Sequence, residues 1–343
     1  MAQTTVRWAI VGTGGIALRT LGDLTLCENA EVVAVCSRSS DSAARFATEH
    51  GIPRHYGDFA ALCADPEVDA IYLGTPHGTH FAYASQAIKA GKNVLSEKPL
   101  TMTADEAREL QRLSREHGVL VMEAMWMKFS PSIRKAQELV AAGAIGTPMI
   151  VQAGLGYPVP TNGPKRFWVP ELGGGALYDM GVYTIALAQL FLGIPESISC
   201  VGHTRADGVD YFEGITLTFA NGAIAQLTTS ITYSIPPRGY LGGTTGSIDF
   251  AEPLFSPPAF RHMAADPPRP PVIEEYTFEK EGAGYVPMFR AAGEAILAGE
   301  VEHAIHPMSA TIAVLKTMET VRAQLLAQRD HNLPWTGPVG PAE

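Results

Sequence analysis

Residues 6–17, with the sequence VRWAIVGTGGIA, decide the predicted fold. The run Val6–Val11 is apolar and rich in valine and isoleucine, as in a buried strand, and helix-compatible residues follow the glycines up to Leu26. In the pattern Gly-x-Gly-x-x-Ala the first glycine makes a tight turn and the second lets the backbone approach a pyrophosphate, which faces the helix N-terminus. The order strand, glycines, helix predicts a dinucleotide site at Gly12, Thr13, Gly14, Gly15, Ile16 and Ala17.

The same alternation of short apolar runs and amphipathic helical stretches continues to about residue 125. Ser40-Asp41 can cap a helix that ends at Gly51, and residues 103–106 form a capping box. This alternation is typical of a parallel sheet with helices on both faces. We therefore predict an α/β Rossmann domain over residues 1–125, with strands at Val6–Val11, Val32–Cys36, Ala70–Leu73, Val94–Ser96 and Val119–Met122.

The pattern changes after about residue 146, where strands follow one another and only residues 178–192 look helical between them. Asn221-Gly222 is a strong hairpin turn. We predict a second, α+β domain over residues 126–343 with a mostly antiparallel sheet, in which the proline-rich residues 253–271 form a loop. The C-terminal helices either remain in this domain or pack back on the first. The predicted strands are Thr147–Leu155, Ser197–Thr204, Ile215–Phe219 and Ile224–Ile231, and the closing helices are Met288–Leu297 and Met308–Leu326.

Composition argues against several classes of partner. The 343 residues carry 25 Lys+Arg against 35 Asp+Glu, a net charge of −10, which is the wrong sign for nucleic acid or an anionic membrane. The four cysteines form no CxxC pair, so neither a disulfide framework nor a metal site is expected, and a reducing cytoplasm fits best. The N-terminal residues lack an export signal, and Ile185–Ile194 is too short to span a membrane.

The end of the second strand indicates which dinucleotide binds. An NAD site usually places a carboxylate there for the ribose hydroxyl, whereas an arginine can receive the 2′-phosphate of NADP. Here Cys36 is followed by Ser37 and Arg38, and the first carboxylate is Asp41. The sequence therefore favours NADP over NAD. In the alternative interpretation, Arg38 is a solvated loop residue and Asp41 only caps a helix.

Two further segments carry candidate chemistry. Glu97-Lys98-Pro99 follows the fourth predicted strand, at the carboxyl edge of the sheet where ligands of such folds bind. A lysine in this position is otherwise an ordinary surface charge. Farther along, Asp179 and Tyr183 are four residues apart and share one face of a helix. The alternative makes Asp179 a cap and Tyr183 a core aromatic.

At these residues the chain resembles the glucose-fructose oxidoreductase / inositol dehydrogenase / rhizopine catabolism (Gfo/Idh/MocA) family. The resemblance covers nearly the whole length. It implies a Rossmann domain followed by an open antiparallel sheet, NAD(P)-dependent hydride transfer on sugars, polyols or related alcohols, and a homo-oligomer, a dimer or tetramer, in which sheets of two subunits pack together. Its supports are residues 12–17, Gly74-Thr75-Pro76, Glu97-Lys98-Pro99, residues 173–175 with Asp179-Met180-Gly181-Val182-Tyr183, and His306-Pro307.

Many members of the family carry histidine where this chain has Tyr183. With tyrosine there and with Glu123-Ala124-Met125-Trp126, the chain resembles the branch that contains dihydrodiol and xylose dehydrogenases. That branch mostly uses NADP, in agreement with Arg38. The resemblance also allows a reductase of a nucleotide-linked keto-sugar. A third hypothesis is a non-enzymatic NADP sensor, which would have no need of both Lys98 and Tyr183.

Oxidation of an alcohol requires a base within hydrogen-bond reach of the hydroxyl. We expect Tyr183 to be that base, with Lys98 lowering its pKa from about 10 and stabilising the developing alkoxide. Asp179 would hold a neighbouring substrate hydroxyl, and Glu97 would orient Lys98.

Other residues are predicted more by position than by chemistry. Thr75, Pro76 and His80 follow the third predicted strand and are expected on the cofactor side, as are Glu97 and Lys98. His77 and His80 have a metal-like spacing, but no carboxylate or cysteine completes a ligand set nearby, so no metal is predicted. Trp126 and Arg166 are candidates for lining the substrate pocket, although large aromatic residues more often belong to cores or interfaces.

Overall fold

A computed structural model describes residues 4–265 and 270–328. The chain divides into two compact units, Met1–Phe129 with Lys280–Ile312, and Ser130–Glu279 with Ala313–Glu343. The predicted boundary after residue 125 therefore falls close to the first division. Residues 280–312 belong to the first unit, which agrees with the alternative in which a C-terminal helix packs back on the first domain.

The strands of the first unit form a parallel sheet, six-stranded among the described residues, in the order β3-β2-β1-β4-β5-β6. This is the strand order of a dinucleotide-binding Rossmann domain. The prediction of an α/β Rossmann domain is thereby confirmed. The strands are β1 (Val6–Val11), β2 (Ala30–Cys36), β3 (Arg54–Tyr56), β4 (Ala70–Leu73), β5 (Asn93–Ser96) and β6 (Val121–Glu123).

The second unit contains a sheet that is eight-stranded in the described part of the chain, ordered β14-β13-β12-β11-β7-β10-β9-β8. Its neighbouring strands are antiparallel except for the parallel pair of β7 and β10, which confirms the mostly antiparallel prediction. The strands are β7 (Pro148–Gly156), β8 (Ser197–Thr204), β9 (Asp210–Thr218), β10 (Ile224–Ser230), β11 (Gly239–Gly243), β12 (Gly246–Phe250), β13 (Ala259–Ala264) and β14 (Val272–Thr277).

The helices of the described residues follow the predicted alternation in the first unit. The capping box is present, with the Thr103 hydroxyl accepting the Glu106 N–H, and it begins the fifth helix. In chain order the helices are α1 (Gly15–Leu24), α2 (Ser40–His50), α3 (Phe59–Ala64), α4 (His80–Lys89), α5 (Ala104–His117), α6 (Pro131–Ala141), α7 (Val182–Leu192), α8 (Val286–Leu297) and α9 (Met308–Ala327).

Helix α8 explains why residues 280–312 belong to the first unit. Its Phe289 is fully buried, with ring centroids 6.0 Å from Trp8 of β1 and 5.4 Å from Tyr72 of β4. The carboxylate of Asp23 accepts the Ala283 N–H at 2.7 Å and the Tyr285 N–H at 2.6 Å. Burial of the aromatic residue and satisfaction of these backbone donors bind the returning segment to the Rossmann sheet.

The proline-rich residues 253–271 are not a plain loop as predicted. Strand β13 (Ala259–Ala264) lies inside this range and pairs with β12 on one side and β14 on the other. The prolines flank this run, which contains none, so the strand keeps its N–H donors for both ladders.

One helical segment among the described residues, Pro170–Leu192, is long and apolar enough to cross a membrane by length and composition alone. Of its most apolar window, 72% is buried inside the protein. Its hydrophobicity is therefore explained by its place in the core of the second unit.

Candidate active site

The glycine turn after β1 has the shape that its sequence predicts. Gly12 has φ +106°, and a Cβ built on it would lie 2.7 Å from the carbonyl oxygen of Gly74 in the turn after β4. Any larger residue at position 12 would therefore separate the two turns. A Cβ on Gly14 or Gly15 would meet nothing within 4 Å, so the surface above these two residues is open to a ligand.

Helix α1 presents a free N-terminus at this opening. Gly14 is its N-cap, no side chain caps it, and its first turn holds no acidic residue. The backbone N–H groups and the positive end of the helix dipole are thus left for an anion. Residues 12–17 therefore fit the pyrophosphate of a dinucleotide.

Arg38 lies in the turn between β2 and α2 and is exposed. The cap of α2 is Ser39, whose hydroxyl accepts the Ser42 N–H at 3.2 Å, so the interpretation of Asp41 as the cap is wrong. The neighbouring Ser37 donates its N–H to Tyr56 at 3.1 Å. The Arg38 guanidinium makes no salt bridge among the described residues, which leaves it available for a phosphate.

His80 connects two loops of the first unit and does not present a ring nitrogen outward. Nδ1 lies 2.9 Å from the Pro99 carbonyl oxygen and Nε2 lies 2.8 Å from the Thr75 carbonyl oxygen, and the residue is fully buried. Burial lowers its pKa, and the neutral ring that this favours donates to one of the two carbonyl oxygens. The predicted cofactor contact of His80 is therefore corrected to a role in holding the loops. Thr75 and Pro76 themselves remain partly exposed.

Glu97 is likewise directed inward. Its Oε1 accepts the Tyr72 hydroxyl at 2.6 Å, and its Oε2 accepts the backbone N–H of Lys98 at 3.3 Å. Burial and the Glu97 charge raise the pKa of Tyr72 well above its ordinary value, so Tyr72 remains a donor. Glu97 therefore contacts the backbone of Lys98, and its predicted roles in orienting the Lys98 side chain and binding the cofactor stay predictions.

Glu123, at the end of β6, is a functional candidate that the sequence analysis did not assign a role. Its Oε1 accepts the backbone N–H of Leu100 at 2.9 Å, just beyond the Glu97-Lys98-Pro99 segment. Its Oε2 lies 2.8 Å from His306 Nε2, and the Lys128 ammonium lies 3.1 Å from His306 Nδ1. A buried chain of hydrogen bonds therefore leads from Lys128 through His306 to Glu123 and to the loop of Lys98.

The pKa shifts of the groups in this hydrogen-bond network favour one arrangement of protons. Burial and the Lys128 charge lower the pKa of His306 to about 4, and burial lowers the pKa of Lys128 to about 8. Burial would raise the pKa of Glu123, but hydrogen bonds from His306, Leu100 and Thr311 outweigh it and hold it below its ordinary value. Neutral His306 then donates from Nε2 to the Glu123 carboxylate and accepts from Lys128 at Nδ1.

The buried His306 predicts a loss of stability in mild acid. In the unfolded chain the histidine takes up a proton near pH 6.5, whereas in the folded protein it does so only near pH 4. The stabilisation that neutral His306 gives to the folded state is therefore complete above pH 6.5 and is lost as the pH falls towards 4. His306→Gln keeps a donor for Glu123 and an acceptor for Lys128 but does not titrate. We expect the variant to lose about 3 kcal/mol less unfolding free energy than wild type between these pH values. Urea unfolding at several pH values measures this, and parallel pH curves would contradict it.

Trp126 lies in the interior of the first unit. It is 4% exposed and stacks on Tyr285, with ring centroids 4.3 Å apart and an interplanar angle of 17°. This stacking is a packing contact, and the assignment of Trp126 to the substrate pocket stays a prediction, because Tyr183 and Lys98 are similarly buried, at 7% and 8% exposed.

In the second unit, Asp179 and Arg166 are brought together. Asp179 lies in the π-helical turn Leu177–Gly181, and its Oδ1 lies 2.8 Å from Arg166 Nη1. Tyr183 follows in the first turn of α7, is 7% exposed and has its ring 5.5 Å from that of Phe255. Such π-helical turns occur frequently at functional sites.

Asp179 does not cap its own segment. The backbone N–H of Leu177 donates to Oδ2 of Asp210 at 2.7 Å, so the cap is supplied from β9. The cap of this segment is thus Asp210 rather than Asp179, whose carboxylate pairs with Arg166. Nothing in the sequence around Asp210 indicated this role.

The described residues contain no group of three or more His, Cys, Asp or Glu side chains placed to hold a metal ion. The chemistry that the two units offer is instead that of ammonium, phenol and carboxylate groups: Lys98 in the first, and Asp179 with Tyr183 in the second.

Comparison with known proteins agrees with this inventory. Residues 6–125 match the model of an oxidoreductase family with an NAD-binding Rossmann fold, and residues 133–249 match the Gfo/Idh/MocA C-terminal domain. Trans-1,2-dihydrobenzene-1,2-diol dehydrogenase of Sus scrofa is 34% identical over 257 residues, covering 74% of this chain and 76% of that protein. The protein of the same name from Homo sapiens is 31% identical over 323 residues, covering 92% and 96%.

A similar solved structure is that of KijD10, a 3-ketoreductase from Actinomadura kijaniata, in complex with NADP and TDP-benzene. It has a TM-score of 0.82 and 29% sequence identity, and the match covers 93% of this chain and 98% of that one. The family models on both units and the relatives that extend over most of the chain lead to one assignment: the protein belongs to the Gfo/Idh/MocA family of NAD(P)-binding oxidoreductases.

Proposed function

We propose that this protein is an NADP-dependent dehydrogenase that oxidises a CH–OH group of a sugar, a polyol or a cyclic diol. One observation carries the proposal: the Asp179–Tyr183 segment presents a carboxylate and a phenol from consecutive turns of one helical stretch. Such a pair suits a substrate with adjacent hydroxyl groups, one to be held and one to lose its proton. The dihydrobenzenediol dehydrogenases named above take a vicinal diol of this kind.

The bound nicotinamide would accept the hydride of the alcohol carbon. Tyr183 as phenolate would take the hydroxyl proton, and the Lys98 ammonium would stabilise the negative charge that develops on the substrate oxygen. Asp179 would accept a hydrogen bond from the neighbouring hydroxyl. Because Arg166 holds the same carboxylate, a substrate hydroxyl would either share Asp179 with Arg166 or displace it.

The choice of NADP rests on Arg38, an exposed guanidinium in the turn after β2. A hydrogen bond from the Arg38 guanidinium to the 2′-phosphate would contribute about 1.5–3 kcal/mol to NADP binding. Arg38→Ala should therefore weaken NADP binding about 10- to 100-fold and leave NAD binding unchanged. Titration of nicotinamide fluorescence with NADPH and NADH measures both. Arg45→Ala on the following helix is the control, and equal weakening of both cofactors by Arg38→Ala would contradict the assignment.

The proposal is tested by a turnover screen of aldoses, polyols and vicinal diols with NADP and NAD side by side. Reduction of NADP by at least one alcohol of the panel supports it. A change of nicotinamide fluorescence on binding, without turnover of any alcohol or ketone, would favour the sensor hypothesis.

A second candidate function is reduction of a keto-sugar linked to a nucleotide. It is favoured by the similarity to KijD10, a 3-ketoreductase whose complex contains TDP-benzene. Oxidation of NADPH by a TDP-linked 3-keto-sugar, much faster than by any free sugar, would select this function over the first.

The protein is further proposed to work in the cytoplasm as a homodimer or homotetramer, with no nucleic acid or membrane partner. All four cysteines are buried and unpaired, which suits a reducing compartment. On the solvent face of the eight-stranded sheet, Val201 is 68% exposed and Ile224 is 41% exposed. Exposed apolar residues of this kind suit a contact between two copies of the chain. Replacement of both residues by charged ones should dissociate the oligomer. The molar mass from light scattering measures this.

A further inference from the structure

A bulge in the sheet of the second unit brings two acidic residues to the same side of one strand. In the pairing of β8 with β9, His203 faces Phe212 but Thr204 faces Asp210, so Tyr211 is an extra residue. Regular alternation would place Asp210 and Glu213 on opposite faces of the sheet. The extra residue reverses the direction of Asp210, as bulges do near active sites, and both carboxyl groups point inward. Asp210 is 1% exposed and Glu213 is fully buried.

The two carboxyl groups have different surroundings. Oδ2 of Asp210 accepts the Leu177 N–H at 2.7 Å. Gly175 has φ +128°, and a Cβ there would clash with Oδ1 of Asp210. The glycine thus allows the carboxylate to reach the start of the segment. Within the described residues, in contrast, the one hydrogen bond that Glu213 accepts comes from the hydroxyl of Thr229.

Each acid is left with one buried oxygen that lacks a partner. Among the described residues these are Oδ1 of Asp210 and Oε2 of Glu213. Other groups that face the pair are the guanidinium of Arg322 from α9 and the thiol of Cys200 from β8. Two buried carboxylates cannot both remain ionised cheaply, and a single proton between them would satisfy both orphaned oxygens.

We propose that Asp210 and Glu213 share one proton, carried by Glu213, and that the Asp210 carboxylate so kept charged is the positioning residue for the Asp179–Tyr183 segment. The positioning role of Asp210 rests on the function proposed above for the Asp179–Tyr183 segment. Glu213 donates this proton from Oε2 to Oδ1 of Asp210, while Oδ2 of Asp210 holds the Leu177 N–H at the start of the π-helical turn.

The distribution of charge supports this choice of partner. Burial, and then the charge of Asp210, raise the pKa of Glu213 well above its ordinary value. Burial also raises the pKa of Asp210, but the N–H donors of Leu177 and Ala176 and the charge of Arg322 act in the opposite direction. The proton therefore belongs to Glu213, which has no cation or backbone donor among its described contacts.

Two matched variants test the arrangement. Glu213→Gln replaces the protonated acid by a neutral donor of the same shape, and should keep kcat within about twofold. Asp210→Asn removes the charge that holds the segment, and should lower kcat about 10- to 100-fold while the KM for NADP stays unchanged. The probes are trans-1,2-dihydrobenzene-1,2-diol and D-xylose. Equal losses of kcat in the two variants would overturn the proposal.

Two readouts do not depend on turnover. The infrared carbonyl band of a protonated carboxylic acid should be present at neutral pH, disappear in Glu213→Gln and persist in Glu123→Gln, whose wild-type group is ionised. Amide exchange at Leu177 should accelerate in Asp210→Asn and not in Glu213→Gln. A band that survives in Glu213→Gln, or an unchanged Leu177 amide in Asp210→Asn, would overturn the proposal. If neither probe is oxidised, the kcat comparison uses the alcohol that the turnover screen identifies; if that screen finds none, the proposed function fails, while these two measurements still decide the shared proton.

Discussion

Replacement of Lys98 by methionine should reduce kcat/KM by about 10²- to 10⁴-fold while NADP binds nearly as well as before. Methionine keeps most of the length and apolar character of the lysine stem, so the 8% exposed position stays filled, but the ammonium is lost. The proposed stabilisation of the substrate oxygen is lost with it. Initial rates at saturating NADP, together with a fluorescence titration of NADPH, separate the two effects.

The control for this variant is Lys89→Met, which removes an exposed lysine at the end of α4. It should leave both turnover and cofactor affinity unchanged. Retention of turnover by Lys98→Met would exclude Lys98 from the reaction, and a parallel loss of NADPH affinity would move its role to the cofactor.

Replacement of Tyr183 by phenylalanine should remove the proton acceptor and lower kcat by about 10²- to 10⁴-fold. For alcohol oxidation, the base acts when deprotonated, so the wild-type kcat/KM should rise with pH until the phenol is ionised. The variant should lack this rising limb. Because the Tyr183 ring lies 5.5 Å from Phe255 in a buried environment, phenylalanine fits the same space.

Tyr233→Phe is the matched control, since Tyr233 is an exposed tyrosine of the same unit. Its pH–rate profile should coincide with that of wild type. If Tyr183→Phe also keeps the wild-type profile, another group is the base.

Sequence alone predicted the parts of the fold that depend on local pattern. The glycine turn at residues 12–17, the capping box at Thr103 and the alternation of strands and helices are encoded by neighbouring residues. The same holds for the exposed Arg38 and for Asp179 and Tyr183, whose spacing within one helical stretch is a local property. Strand β13 was not predicted, because the prolines on both sides of it are typical of a loop.

Features that depend on distant partners were not predictable in this way. The place of α8 is determined by Phe289 meeting Trp8, a contact that no local pattern indicates. The sequence places His80 beside the cofactor, but it does not show the contacts of its ring with the Pro99 and Thr75 carbonyl oxygens. The roles of Glu123 and Asp210 arise from a hydrogen-bond chain and a bulge, neither of which is visible before strands are paired.

The division of the first unit into two stretches of sequence also has a consequence for synthesis. A nascent chain that has reached Phe129 still lacks Lys280–Ile312, so Trp8 and Tyr72 have no aromatic cover from Phe289 while the intervening residues are translated. At ordinary elongation rates this interval lasts on the order of 10 to 40 s. During this interval the Rossmann sheet cannot form its contacts with Phe289, so we expect it to reach its final packing only after residue 289 has left the ribosome.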